Sequence, residues 1–115
     1  FWDAPRNVHQ DGILDTSTVP AGPALAPAIE KGRALAARIA QALDYVGVLA
    51  VELFVAKDGA LLVNEIAPRV HNSGHWTMDA CPVSQFEMHI RAVAGWTSPS
   101  GSPPAVRRAT PKLPC

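Results

Sequence analysis

Lys57-Asp58-Gly59 is the feature that most constrains this chain, because it sets a tight-turn signal between two runs suited to strands. Residues 46–56 (VGVLAVELFVA) are apolar, β-branched or aromatic except for Gly47 and Glu52, and residues 60–66 (ALLVNEI) are similar except for Asn64 and Glu65. Asp-Gly between such runs favours a two-residue hairpin turn, since both central residues then take positive φ. A loop of Asp58 and Gly59 makes Lys57 face Ala60 and puts Glu52 directly opposite Glu65. A three-residue loop would slip that pairing by one position and turn the partner's side chains to the other face.

Two carboxylates facing each other on a sheet repel. Partial burial on strands this apolar would worsen the repulsion and favour protonation of one acid. A divalent cation reverses the penalty. Hard oxygen ligands suit Mg²⁺, which takes one or two carboxylates, keeps some waters and completes its shell with substrate phosphates. The plainer alternative is a solvated face that happens to carry two unrelated acids.

Length and charge narrow the remaining classes. The chain has 115 residues, enough for one small domain, and it begins with Phe1, as expected of a piece of something longer. Net charge is zero with no basic stripe, so nucleic-acid binding has no electrostatic support. No apolar run reaches transmembrane length and no signal-peptide pattern opens the chain. Cys81 and Cys115 stand far apart in sequence, so no disulfide framework and a reducing, cytoplasmic setting are expected.

Along the chain, residues 1–11 read as mixed and turn-like, and 12–19 as a strand ended by Pro20. Residues 20–27 lead into a helix over 28–43, where Pro27 fits the first turn and Ile29, Leu35, Ala36, Ile39 and Leu43 form an apolar stripe. Its role is to pack on a sheet. After the hairpin, 67–76 read as a loop. Ser84 and Glu87 form a capping box for a second helix with Phe86, Ile90 and Val93 or Ala94 on its apolar face and Gly95 just past its end. Residues 97–115 carry five prolines and almost no large apolar residue, so a disordered tail is expected after a domain over 1–96. The order β, α, β, β, α predicts an α+β fold, a mostly antiparallel sheet with packed helices.

The loop at 67–77 (APRVHNSGHWT) gathers one guanidinium, two imidazoles, one amide and two hydroxyls. Arg69 follows Glu65 by four positions, and a guanidinium beside a carboxylate–cation site is a natural phosphate ligand. A simple Arg69–Glu65 salt bridge is the alternative. His71, Asn72, Ser73 and His75 offer donors and acceptors to a small polar or anionic group. Zinc held by His71, His75 and Cys81 is a rival, weakened because Asn-Ser-Gly opposes the helix that would align the two histidines. Cys81 before Pro82 otherwise reads as a small buried hydrophobe, and His89 as structural.

These residues also carry a resemblance. NEIAPRVHNSGHWT and SQFEMHIRAV, with NVHQDGILDTSTVPA and GVLAVELFV upstream, resemble the 5-(carboxyamino)imidazole ribonucleotide synthases, ATP-grasp enzymes of purine biosynthesis, over about residues 5–96. The resemblance implies a fragment of an ATP-grasp domain, from an enzyme that uses ATP and bicarbonate to carboxylate 5-aminoimidazole ribonucleotide, with carboxyphosphate as the expected intermediate. It implies that Glu52 and Glu65 hold Mg²⁺ on the ATP phosphates, with Asn64 beside them. Arg69 would steady phosphate or carboxyphosphate, and His71, Asn72, Ser73 and His75 would line the pocket for bicarbonate-derived and ribonucleotide groups; Arg69, His71 and His75 are the catalytic candidates. The family is typically homodimeric. Formate-dependent glycinamide ribonucleotide transformylase shares the Glu strand and a Pro-Arg-x-His segment but not the NSGHWT run. Full members also carry a preceding domain and the lysines that bind ATP phosphates, so these 115 residues alone are expected to be inactive, or a remnant that binds Mg²⁺–ATP weakly. Arg6 stands where the family pattern leads one to expect an acid.

Overall fold

The computed structural model describes residues 1–96; the tail expected over 97–115, and with it the boundary after residue 96, lies outside the described residues. The elements are β1 (Arg6–Gln10), β2 (Ile13–Thr18), α1 (Ala26–Ala42), β3 (Ala50–Val55), β4 (Leu61–Ala67), α2 (Thr77–Ala80) and α3 (Gln85–Val93). β1 pairs with β2 and β3 with β4, both antiparallel, as two separate two-stranded sheets. The class is therefore α+β, as the sequence predicts.

β1 replaces an expected irregular stretch. Its cause is a second Asp-Gly turn: Asp11 and Gly12 have φ of 51° and 78°, and Gln10 pairs directly with Ile13. Two consecutive positive φ values suit the right-handed twist of a hairpin. Every residue of β1 except Asn7 is exposed, so no apolar alternation marks the strand.

α1 lies directly on β3. Gly32 is buried, and a Cβ there would stand 2.8 Å from Leu53 Cδ1, so a larger residue would have to push the Leu53 tip aside. Ile29, Leu35, Ala36 and Ile39 are half-buried along the predicted stripe. Leu43 departs from it: the helix ends at Ala42, and Leu43 is 59% exposed at its C-cap.

The β3–β4 turn has three residues, one more than expected. Gly59 N–H donates to Ala56 O and Ala56 N–H donates to Ala60 O, both at 2.9 Å, with Gly59 at φ 81°. This is a type I turn closed by a left-handed glycine. Val55, Phe54 and Leu53 then pair with Leu61, Leu62 and Val63, after which the register shifts and Glu52 faces Glu65. The extra residue in β4 is Asn64.

α3 is capped as predicted at both ends, with one difference. Ser84 Oγ accepts from Glu87 N–H at 3.2 Å and Gly95 takes φ 66° beyond the Ala94 cap. The Glu87 carboxylate, however, bonds Arg91 one turn on rather than returning to Ser84. The predicted apolar face is open to solvent, with Ile90 and Val93 more than 60% exposed. Among the described residues, Val48 and Ala67 are the fully buried hydrophobes, and Phe54, Val55, Leu62 and Val63 on the second hairpin are exposed. His89 is structural: its Nδ1 accepts from Val48 N–H at 3.1 Å, while Tyr45 Oη donates to Val48 O at 3.1 Å. The zinc alternative finds no support among the described residues, where the gathered metal-ligand cluster is Glu52, Glu65 and His71 rather than His71, His75 and Cys81. Among the described residues no helix is long and apolar enough to cross a membrane.

Candidate active site

The bulge in β4 builds the site. In a regular strand successive side chains point to opposite faces. An inserted residue breaks that alternation and re-aims a side chain. Asn64 and Glu65 consequently both reach Glu52's side of the ladder. Asn64 Nδ2 donates to Glu52 Oε2 at 2.9 Å, and ligand atoms of Glu52, Glu65 and His71 lie within 4.8 Å of one another. Glu52 is the more enclosed acid, its side chain 12% exposed against 41% for Glu65.

Three cationic or donor side chains surround the pair. Arg69 NH2 donates to Glu65 Oε1 at 2.9 Å, and its NH1 donates to Val70 O at 3.0 Å. The salt bridge held open as an alternative is thus present, on an arginine 58% exposed and open to a further partner. His71 Nε2 lies 3.3 Å from Glu65 Oε2. Ser73 N–H, which can only donate, points at His71 Nδ1 at 3.4 Å, with Ser73 Oγ 2.9 Å from the same nitrogen. Nδ1 therefore accepts, and in the neutral ring Nε2 carries the proton towards Glu65. His9, from β1, brings Nε2 to 3.3 Å from Glu52 Oε1.

The loop supporting these groups is more regular than expected. Asn72–Gly74 form a turn of 3-10 helix, capped by His71, and α2 follows. Gln85, only 2% exposed, grips the loop from α3: its Oε1 accepts from His71 N–H at 3.0 Å and its Nε2 donates to His71 O at 2.8 Å. Gln85 N–H donates to Thr77 Oγ1, which donates to Gly74 O. Asn72 is exposed on the turn. His75 stacks on Phe86 with ring centroids 5.7 Å apart, rather than bonding the carboxylates.

Of the sequence-predicted residues, Glu52, Asn64, Glu65, Arg69, His71 and Ser73 come together, while Asn72 and His75 sit on the outer side of the same loop. His9 and Gln85 escape the sequence reading. The Asp11-Gly12 turn two residues after His9 could have revealed its strand. Nothing local marks Gln85, whose partner is fourteen residues upstream. Arg6 is exposed at the start of β1, opposite Thr18.

The carboxylate pair fits a divalent cation, because two sets of hard oxygen donors converge at a spacing that repulsion alone would disfavour. Paired glutamates across a bulged hairpin, with a guanidinium at the strand end, form one acidic cluster bordered by hydrogen-bond donors. An ATP-grasp domain model matches residues 1–86, and the chain belongs to the ATP-grasp family. It is 64% identical over 95 residues to the N5-carboxyaminoimidazole ribonucleotide synthase of Brucella melitensis, covering 83% of this chain and 26% of that protein. Among solved structures, the N5-carboxyaminoimidazole ribonucleotide synthetase from Thermus thermophilus is 52% identical with a TM-score of 0.75, over 83% of this chain and 26% of that one. The Aspergillus clavatus synthase, solved with ADP and 5-aminoimidazole ribonucleotide, is 35% identical with a TM-score of 0.74, over 86% of this chain and 26% of that one. The chain spans about a quarter of the length of the relatives it matches.

Proposed function

We propose that this chain supplies the acidic side of the ATP-phosphate site in an enzyme that carboxylates 5-aminoimidazole ribonucleotide with ATP and bicarbonate, in the cytoplasm and as a homodimer when whole. The observation that carries this reading is the Glu52–Glu65 pair, within reach of Arg69 and His71. The relatives' names and the nucleotide-bound structures among them support it.

When bound, Mg²⁺ neutralises phosphate charge. Glu52 and Glu65 would hold it. Asn64 and His9 fix the rotamer of Glu52 by occupying one oxygen each. Arg69, paired with Glu65 in the free chain, would offer its fork to a phosphate or carboxyphosphate group once Glu65 holds the cation. His71 holds a proton at Nε2 beside the same carboxylate, and Ser73, Asn72 and His75 border the substrate side. This is positioning and charge neutralisation, the usual means of catalysing phosphoryl transfer. The exposed apolar faces of the second hairpin and α3 support the view that further protein covers them in the working enzyme.

The test is calorimetry of Mg²⁺–ATP with the wild-type chain and the Glu52→Gln/Glu65→Gln variant. Binding lost in the double variant supports the reading. Binding that survives it, or turnover of 5-aminoimidazole ribonucleotide by the 115 residues alone, contradicts it.

A further inference from the structure

Gln85 and Thr77 are the buried polar side chains among the described residues, and Gln85 touches none of the site's reacting groups. Its carboxamide meets the two backbone groups of His71 as a neighbouring strand would, accepting from the N–H at 3.0 Å and donating to the C=O at 2.8 Å. Those are the backbone bonds that fix where the imidazole starts. Two further features frame this residue, one bonding its backbone and the other leaving its carboxamide room. Thr77 Oγ1 accepts from Gln85 N–H at 2.9 Å and ties it to Gly74 O. Gly74 leaves it room: a Cβ at that position would stand 2.9 Å from Gln85 Cδ. The clamp closes on the residue whose ring then reaches Glu65 through Nε2 and Ser73 through Nδ1.

We propose that Gln85 is a positioning residue for His71: it sets the imidazole so that Nε2–H addresses Glu65, and so orders the carboxylate pair for a divalent cation. Among the described residues the ring's own bonds go to Glu65 and Ser73, so releasing the backbone clamp would free it to turn. The proposal rests on the reading of Glu52 and Glu65 as cation ligands for its consequence, but not for its first observable, the state of the His71 ring.

The experiment is long-range ¹H–¹⁵N NMR of the histidine rings in the 115-residue chain, followed by titration with Mn²⁺ alone read by electron paramagnetic resonance. Three variants are compared with wild type: Gln85→Met, which removes both bonds at similar volume; Gly74→Ala, which displaces the carboxamide while leaving it in the sequence; and Thr77→Val, which breaks the latch behind it. Wild type is expected to show an unprotonated Nδ1 and a protonated Nε2 at His71. Gln85→Met and Gly74→Ala are expected to replace that pattern with tautomer-averaged shifts and to weaken Mn²⁺ by about tenfold, the lower end of what outer-shell partners contribute. Thr77→Val is expected to melt earlier while keeping the His71 pattern. A folded Gln85→Met or Gly74→Ala with wild-type His71 shifts overturns the proposal. Unfolding of both overturns it too, in favour of a purely structural clamp. Wild-type chain that shows the His71 pattern but binds no Mn²⁺ sinks the cation reading and leaves the ring test standing.

Discussion

Glu52 and Glu65 are direct partners across the β3–β4 ladder, and they meet because Asn64 is bulged out between Val63 and Glu65. Without that extra residue the three-residue turn would set Asn64 against Glu52 and send Glu65 to the opposite face. The bulge costs the ladder a regular pair and places an amide and two carboxylates together. If the cluster holds a cation as proposed, stability and cation binding are opposed at this point of the chain.

Glu65→Gln makes that opposition measurable. Removing one of two facing charges is expected to raise the stability of the metal-free chain, by at most about 1 kcal/mol. The same change should weaken Mg²⁺ or Mn²⁺ binding at least tenfold. Thermal melts with and without the cation read both effects, and a variant that is less stable yet binds as tightly would contradict the assignment.

Arg69→Ala separates the cation from the phosphate. Arg69 competes with a metal ion for Glu65 in the free chain, so Mn²⁺ alone should bind the variant as well as wild type or better. Mg²⁺–ATP should bind it more weakly, by about tenfold, since a charge-assisted bond to phosphate is lost. The stability change should stay under about 1 kcal/mol, as for other exposed ion pairs. Calorimetry with the two ligands in parallel decides, and equal losses for both would place Arg69 among the metal-ordering residues instead.

Gly47→Ala should act on folding without touching the site. Gly47 has φ 140°, and an added Cβ would stand 2.8 Å from Tyr45 Oη and 3.0 Å from His89 Cε1. Those are the two side chains that bond Val48. We expect a loss of about 1–3 kcal/mol by denaturant titration, with unchanged Mn²⁺ affinity in the folded fraction. A change in affinity without a change in stability would mean the segment before β3 is coupled to the carboxylates.

The open apolar faces predict self-association of the isolated chain. Phe54 and Leu62 pair across the second hairpin and are each more than half exposed. Sedimentation should show oligomers at micromolar concentration, and Phe54→Lys with Leu62→Lys should shift them towards monomer. A monodisperse wild-type monomer would contradict this.

The way each hairpin can be inferred from residues differs instructively. The Glu52–Glu65 opposition is predicted correctly but by the wrong route: a two-residue loop and no bulge give the same partner as a three-residue loop with one bulge. Turn chemistry reads the presence of a hairpin well, whereas loop length depends on whether Asp58 takes positive φ, and it does not. The first hairpin carries the same dipeptide, Asp11-Gly12, and is missed because β1 has no apolar alternation to draw attention to it. Capping is local and legible, as Ser84 and Gly95 show. The contacts of His9 with Glu52 and of Gln85 with His71 join residues far apart in the chain, and no local pattern encodes them. The apolar stripe of α3 is read correctly as apolar, but Ile90 and Val93 on it stand exposed among the described residues.

The approach of His9 to Glu52 places the carboxylate cluster on a seam between two sheets that share no ladder. Whatever tightens Glu52 pulls on the first hairpin as well, and whatever loosens that hairpin is felt at Glu52. A cation held by the cluster as proposed would therefore be coupled to how firmly β1 and β2 rest against the remainder of the fold. Slower amide exchange in β1–β2 on cation addition would register that coupling at a distance from the ion, making the hairpin a gauge of the load on the site.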